Sequence, residues 1–381
     1  MNEKRYIQLA YAVFALSFVL RIFIPFYFSD TWLTPDSRNY IVQANTLLSG
    51  GFGLYFPNGF PAILAFVTLI TGTESRDLSI IILNIILSTS SLYLFWIIVK
   101  NSLGINIFSV IAVAIFAFYP NQLNYVRFIL TEIPSVFFLL LSVYFISKKK
   151  FSIAGLMIGT SIIIKTSLLP LMLLFSGYLF YKREFRDGSR FIGLSFVPIA
   201  AMMLYGVILS GKIALGYSSV HNFYLATNQP ELLSTGYLSA LGYYFNYAFA
   251  NPLQFITDRL NSLWEFWGFF PSSNEGLRGS LLFRLLIGIR FPLLLLAIYG
   301  FYKSEKNNLV IFSSLTIITL TVIHFIFYSI PRYNFAAEPF LIFLAVIGLK
   351  YFFEKPLNKE SEQNNSGREK MDDGSWKKED G

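Results

Sequence analysis

The sequence predicts an all-α protein, a polytopic bundle of about ten to eleven transmembrane segments with interfacial amphipathic helices in its outer loops. Three observations predict this class. The 381 residues are 55% hydrophobic and only 14% charged, whereas soluble domains carry roughly 25% charged residues. Long apolar runs recur from one end of the chain to the other. Lys and Arg cluster in the short turns between these runs. The chain is therefore expected to be a multi-pass membrane protein.

Charge and composition exclude several kinds of site. The net charge of +8 is explained by basic turns on the cytoplasmic side of a membrane, so no nucleic-acid partner is expected. Cysteine is absent and the two histidines are His221 and His324, which excludes disulfides, thiolate sites and a multi-histidine zinc site. No organic cofactor is expected. A participating metal ion would be held by carboxylates and water, which points to Mg²⁺ or Mn²⁺.

The apolar segments follow one another along the whole chain. They cover residues 6–28, 59–72, 78–99, 106–120, 131–147, 151–164, 166–181, 190–209, 281–302, 308–330 and 334–353. The first segment follows the basic stretch 1–5 and has no small-residue cleavage site after it, so it is predicted to be an uncleaved span. The basic clusters fall on one side if 59–72 enters the membrane and returns, which leaves both termini in the cytoplasm. Whether 59–72 crosses stays open.

The polar stretches form an outer set of loops and a tail. The first outer loop, 29–58, and the large outer loop, 210–280, fall on the same face. The second is rich in Tyr and Trp, which favour the membrane interface, so its helices are expected to lie on the membrane surface. Residues 354–381 are polar and are predicted to form a disordered cytoplasmic tail after a membrane domain at 1–353. The expected location is the plasma (inner) membrane.

The most informative polar interruption follows the first apolar segment, at Pro35-Asp36-Ser37-Arg38-Asn39-Tyr40. A helical pattern begins there and ends at Gly50-Gly51, which places Asp36 at the helix N-terminus. Two interpretations stay open. Asp36 caps an interfacial helix, or it is an acid that acts at the membrane surface, where charges are costly and usually mark a site.

The predicted topology places several more charged residues on the same face, and three of them are the main candidates: Glu132, Lys165 and Arg332. Glu132 suits the first turn of a helix capped by Thr131, and it is equally suited to share a divalent cation with Asp36. Lys165 extends its amine to the interface or meets an anionic group there. The planar arginine fork suits phosphate oxygens. Arg38, Arg127 and His221 are predicted on the same face. Two acids and two cations near one leaflet indicate an amphipathic substrate with a phosphate headgroup.

These residues resemble motifs of the GT-C superfamily of integral-membrane glycosyltransferases, in the protein O-mannosyltransferase and aminoarabinose transferase branches. Four passages carry the likeness, and in order and spacing they cover most of residues 6–353. They are Pro35-Asp36-Ser37-Arg38-Asn39-Tyr40 with Leu48-Ser49-Gly50-Gly51 and Pro57-Asn58-Gly59-Phe60-Pro61, then Thr131-Glu132, then Ala154-Gly155-Leu156-Met157-Ile158-Gly159 running to Lys165 and Pro170, and finally Pro331-Arg332-Tyr333-Asn334 leading to Glu338-Pro339.

The resemblance implies an enzyme that moves a sugar from a polyprenyl-phosphate-linked donor to a lipid, glycan or protein acceptor at the outer face of the membrane. It implies that Asp36 and Glu132 are the catalytic acids and the candidate metal ligands. It assigns phosphate binding to Lys165 and Arg332. Arg38, Tyr40 and Tyr333, which stand in the same motifs, are predicted to bind substrate or phosphate as well. Many relatives carry two adjacent acids in the first loop, whereas Ser37 follows Asp36 here.

Two other functions remain alternatives. A transporter or flippase of lipid-linked sugars predicts internal repeats and charges distributed through the bilayer, and neither is clear in the sequence. A polymerase or ligase of surface polysaccharide uses similar donors but usually places its basic residues in one late outer loop. Here the signals start in the first outer loop, which favours the transferase.

Overall fold

The computed structural model describes residues 2–29, 32–53, 55–211, 237–268, 288–327 and 329–354. This part of the chain is helical and contains no strand, which confirms the predicted all-α class. Its helices are α1 (Glu3–Tyr27), α2 (Pro35–Leu48), α3 (Gly59–Leu103), α4 (Ile107–Phe118), α5 (Pro120–Asn124), α6 (Glu132–Ser147), α7 (Phe151–Ile164), α8 (Leu169–Tyr181), α9 (Phe185–Ser210), α10 (Tyr237–Ala250), α11 (Pro252–Trp267), α12 (Arg290–Lys303), α13 (Asn308–Ile326) and α14 (338–354). His221 and, in the predicted disordered tail 354–381, the residues from 355 onward lie outside the described residues, while Glu354 is helical and ends α14.

Several of these helices have the length and composition of membrane spans. α1, α3, α9 and α13 are long and apolar enough to cross a membrane. α4 and the helical stretch Pro120–Arg127 pass the same test together, as a pair bent by 48°. The shorter apolar helices are Glu132–Ser147, Phe151–Ile164 and Thr166–Tyr181. A polytopic helical bundle is thus confirmed, while the number of crossings and their orientation stay predictions.

α3 is interrupted at Gly72, whose backbone has φ 79° and ψ 167°. Glycine adopts this conformation readily because it has no Cβ, whereas other residues are strained there. The sequence separates two apolar segments at the same place. The first half of α3 begins against α7, since a Cβ on Gly59 would lie 2.5 Å from the Ile163 carbonyl oxygen. This close approach brings the start of α3 beside the end of α7, where Lys165 follows.

α7 packs along α9 through two glycines of the third motif. A Cβ on Gly155 would lie 2.2 Å from the Phe191 carbonyl oxygen, and one on Gly159 would lie 2.2 Å from the Ser195 carbonyl oxygen. Small residues let membrane helices approach closely enough for their backbones to touch. The contact fixes α7 in place, and Lys165 stands at its C-terminal cap.

A buried polar network joins α5, α12 and α14. Arg290 donates to Glu338 Oε1 at 2.9 Å and to the Tyr119 hydroxyl at 2.8 Å. Asn121 and Gln122 donate to the same carboxylate at 2.6 and 2.9 Å. The side chains of Arg290 and Glu338 are 1% and 2% exposed. The network therefore anchors the start of α14 inside the bundle, directly after the 3₁₀ segment Pro331–Ala336.

The helices of the large outer loop, α10 and α11, donate hydrogen bonds to the C-terminal end of α13. The Tyr244 hydroxyl in α10 and Arg259 Nη1 in α11 both donate to the Ile326 carbonyl oxygen, each at 2.5 Å. Carbonyl groups in the last turn of a helix have no intrahelical partner and carry partial negative charge, so a cationic donor stabilises them. Helices in this loop are thus present. Their position on the membrane surface stays a prediction.

Candidate active site

A cavity of about 320 Å³ lies where α2, the turn after α7 and the 3₁₀ segment Pro331–Ala336 meet. Four charged side chains line it, and all four are site residues predicted from the sequence. They are Asp36, Glu132, Lys165 and Arg332. They come from four separate segments, and 296 residues separate Asp36 from Arg332. The predicted residues Tyr40 and Tyr333 also line the cavity.

Asp36 is free to face the cavity because another residue caps α2. The Ser37 amide donates to Thr34 Oγ1 at 3.2 Å, and the Thr34 amide donates to Ser37 Oγ at 3.0 Å. This reciprocal arrangement is a capping box. The interpretation of Asp36 as the N-cap is therefore wrong. Its carboxylate instead accepts a hydrogen bond from Arg332 Nη2 in an ion pair, with the two side chains 28% and 21% exposed.

Glu132 lies deeper and contacts both cations of the cavity. Its Oε1 is 3.6 Å from Lys165 Nζ and 3.8 Å from Arg332 Nε, and its side chain is only 3% exposed. Thr131 Oγ1 donates to Glu132 Oε2 at 3.3 Å. The Thr131 side chain makes no capping hydrogen bond to the backbone of α6. Its hydroxyl group instead binds the Glu132 carboxylate. Glu132 thus joins the ammonium and the guanidinium at one end of the cavity.

An aromatic stack supports the two cations. Lys165 Nζ lies 5.7 Å and Arg332 Cζ 5.5 Å from the centroid of the Tyr333 ring. His324 stacks on Tyr333 with centroids 4.7 Å apart, and Phe266 stacks on His324 at 5.1 Å. A cation near an aromatic face is attracted by the ring quadrupole. Sequence reasoning missed His324 as a site residue, although its place in the last turn of a span shortly before Arg332 was a usable signal.

Burial changes the pKa of several cavity groups. It lowers the pKa of Lys165 from its ordinary 10.5, an effect that the Glu132 carboxylate opposes. It raises the pKa of the Tyr40 and Tyr333 phenols, which stay neutral hydrogen-bond donors at neutral pH. For Arg332, burial favours the neutral form, but the Glu132 and Asp36 carboxylates outweigh it and raise the pKa.

Two other predicted residues lie away from the cavity, and one is outside the described chain. Arg38 is exposed on α2 and does not line the cavity, so its role in substrate binding stays a prediction. Arg127 is buried, with its guanidinium 4.8 Å from the Phe28 ring centroid and 4.5 Å from that of Phe128. His221 lies outside the described residues.

The sequence predicts that Asp36 and Glu132 could share a divalent cation. Arg332 contacts both carboxylates, so each of them is already paired with a cation of the chain. Among the described residues, no group of three or more His, Cys, Asp or Glu side chains is placed to hold a metal ion. The side chains in this arrangement do not fit a shared ion, and a role for Mg²⁺ or Mn²⁺ stays a prediction.

The resemblance to GT-C glycosyltransferases can be compared with known protein families and solved structures. Residues 57–209 match the family model of dolichyl-phosphate-mannose-protein mannosyltransferases. This span is less than half of the chain and includes Glu132 and Lys165, while Asp36 and Arg332 lie outside it. A search of curated proteins gives no match to this chain.

Among solved structures, the chain is similar to a crystal structure of ArnT from Cupriavidus metallidurans bound to undecaprenyl phosphate. The sequence identity is 13% and the TM-score is 0.47. The alignment covers 91% of this chain and 59% of that chain, so this chain spans less than two thirds of the length of that ArnT chain. The resemblance noted in the sequence is confirmed by the family model: over residues 57–209 this chain is similar to the dolichyl-phosphate-mannose-protein mannosyltransferases, which are GT-C glycosyltransferases.

Proposed function

We propose that this chain is a membrane glycosyltransferase that moves a sugar from a polyprenyl-phosphate-linked donor to an acceptor at the outer face of the membrane. One observation carries the proposal: two cations, Lys165 and Arg332, share a cavity with a partly exposed carboxylate, Asp36. The matched family is named for a lipid-phosphate-sugar donor, which supports the same donor class here.

Lys165 and Arg332 are the groups we assign to the donor phosphate. Lys165 Nζ is buried, lies 3.6 Å from Glu132 and has no hydrogen-bond partner among the described residues. Arg332 offers a planar guanidinium that matches phosphate oxygens in two parallel hydrogen bonds. Glu132 contacts both cations and so positions them for one ligand. Tyr40 and Tyr333 supply neutral hydroxyl groups beside them.

The reaction we propose is a displacement with inversion. The acceptor hydroxyl oxygen attacks the anomeric carbon from the side opposite the phosphate. The new bond forms as the bond from the anomeric carbon to the phosphate oxygen breaks, and the electron pair leaves with the lipid phosphate. Asp36 accepts the hydroxyl proton. Lys165 and Arg332 neutralise the leaving phosphate, so positioning and electrostatic stabilisation supply most of the rate enhancement.

The proposed cellular setting is a plasma (inner) membrane with both termini in the cytoplasm and the cavity at the outer face. The cavity charges come from stretches that the predicted topology places on one side, and the basic clusters lie in turns of the opposite set. The acceptor is a lipid, a glycan or a protein that carries a hydroxyl group.

The test is mass spectrometry of polyprenyl-linked lipids from cells that carry the wild-type chain, Asp36→Asn or the control Asp187→Asn. Asp187 lies at the start of α9, is partly exposed, pairs with Arg190 at 3.9 Å and does not line the cavity. We expect one polyprenyl-phosphate sugar to accumulate with Asp36→Asn and not with Asp187→Asn. An unchanged lipid pool with stably expressed Asp36→Asn contradicts a lipid-donor transferase and favours transport of lipid-linked sugars.

A further inference from the structure

We propose that the donor phosphate takes Arg332 away from Asp36, so that donor binding itself releases the catalytic base. This inference deepens the proposed function and rests on it. It concerns the order of events in the cavity, and it is carried by the way in which Arg332 divides its contacts between two acids of unequal burial.

The charges of the cavity are balanced before a ligand enters. Asp36 and Glu132 carry two negative charges, and Lys165 and Arg332 carry two positive charges. Arg332 contacts Asp36 through Nη2 and faces Glu132 through Nε at 3.8 Å. Before a ligand enters, the Asp36 carboxylate is therefore paired with Arg332 and is not available to an acceptor hydroxyl.

The two acids differ in how readily they can leave Arg332. Glu132 is 3% exposed, contacts Lys165 as well and accepts a hydrogen bond from Thr131. Asp36 is 28% exposed and lies in the first turn of α2. Removal of Glu132 from its partners would leave a buried charge without compensation, whereas Asp36 can be solvated when it leaves. Asp36 is therefore the acid that a ligand displaces.

A lipid-linked phosphate has the chemistry to displace it. The phosphate brings at least one more negative charge, so three anions would compete for two cations. The guanidinium fork binds two phosphate oxygens at once. Repulsion between the phosphate and the nearby Asp36 carboxylate then favours separation of Asp36 from Arg332. The freed Asp36 carboxylate can then take the proton of the acceptor hydroxyl. In this order of events, the donor binds before the acceptor reacts.

The test measures the affinity of the purified full-length protein in detergent for undecaprenyl phosphate. Dissociation constants are determined for wild type, Asp36→Asn, Asp36→Ser and the control Asp187→Asn. We expect both neutral variants at residue 36 to bind up to about fivefold more tightly, the range for loss of one partly exposed competing ion pair. Asp187→Asn is expected to bind as wild type does.

A double-mutant cycle separates competition for Arg332 from simple charge repulsion. In an Arg332→Gln background the guanidinium is absent and only repulsion between phosphate and carboxylate is left, so Asp36→Asn is expected to give a smaller gain in affinity than it gives beside Arg332. An equal gain in both backgrounds overturns the exchange, because repulsion alone then explains it. Unchanged or weaker binding by both Asp36→Asn and Asp36→Ser overturns it as well, while the donor class stands. Absence of binding by the wild type overturns the donor class of the proposed function.

Discussion

Lys165 and Arg332 line the same cavity as two different kinds of cation. The guanidinium of Arg332 contacts Asp36 and Glu132 through separate nitrogens. The ammonium of Lys165 is a single point charge near Glu132. Arginine stays charged at any pH that proteins tolerate, whereas a buried lysine can lose its proton. The two residues are therefore expected to respond differently to pH.

Donor binding should weaken at alkaline pH because of Lys165. Burial lowers the pKa of Lys165 below its ordinary 10.5, so its positive charge is lost at a lower pH than that of a free lysine. Affinity for undecaprenyl phosphate is expected to fall as pH rises through this lowered pKa, and the fall should be absent in Lys165→Arg. Titration of binding across the alkaline range checks this.

The control for this titration is Lys182→Arg, at an exposed lysine outside the cavity. It should keep the alkaline fall of the wild type. If Lys165→Arg shows the same fall as the wild type, the ammonium of Lys165 does not bind the phosphate.

At the scale of helices, much of the fold could be predicted because it depends on local pattern. α2 ends at Leu48, just before Gly50-Gly51, and α7 occupies the same residues as the apolar segment 151–164. The Asp36–Arg332 pair was not predictable from pattern, since it depends on how distant helices pack. The predicted topology places Arg332, which lines the cavity, on the same face as Arg127, which packs on phenylalanine rings. Topology alone does not distinguish the two arginines, and the motif around Arg332 is the signal that selects it.

The contact between α7 and α9 gives a prediction at this scale. In Gly159→Ala, the new Cβ would lie 2.2 Å from the Ser195 carbonyl oxygen, so the helices must separate. The expected cost is about 1–3 kcal/mol in the free energy of unfolding. Because Lys165 follows α7 directly, donor affinity should fall too. Thermal unfolding in detergent and the binding assay measure the two effects.

Gly193→Ala provides the matched control on α9, since nothing lies within 4 Å of a Cβ there. Alanine favours a helix over glycine by about 1 kcal/mol, so this variant should be as stable as wild type or slightly more so. Equal melting temperatures for Gly159→Ala and wild type would show that the helices tolerate separation at this point.

At the scale of the whole molecule, one buried ion pair joins parts of the chain that are far apart in sequence. Arg290 on α12 and Glu338 on α14 are almost fully buried, and side chains from the stretch 119–122 complete their hydrogen bonds. A charge that loses its partner in such a place is strongly destabilising, whereas removal of both charges together is often tolerated.

Glu338→Leu is therefore expected to lower the free energy of unfolding by about 3–5 kcal/mol, because Arg290 is left buried without its partner. The double variant Arg290→Met with Glu338→Leu should recover part of this loss. Thermal unfolding of both, beside the exposed control Glu305→Gln, measures the difference. A double variant no more stable than Glu338→Leu would show that the unpaired arginine charge is not the cause.

The separation of 296 residues between Asp36 and Arg332 has a consequence for biosynthesis. At a synthesis rate of about 5–20 residues per second, Asp36 waits roughly 15–60 s before Arg332 has been made. During that interval the nascent chain holds the carboxylate without the guanidinium that pairs with it. A chain released early by the ribosome carries the acid but lacks half of the proposed phosphate-binding pair. If the proposed function holds, activity is acquired only after residue 332 and its segment have been added to the bundle.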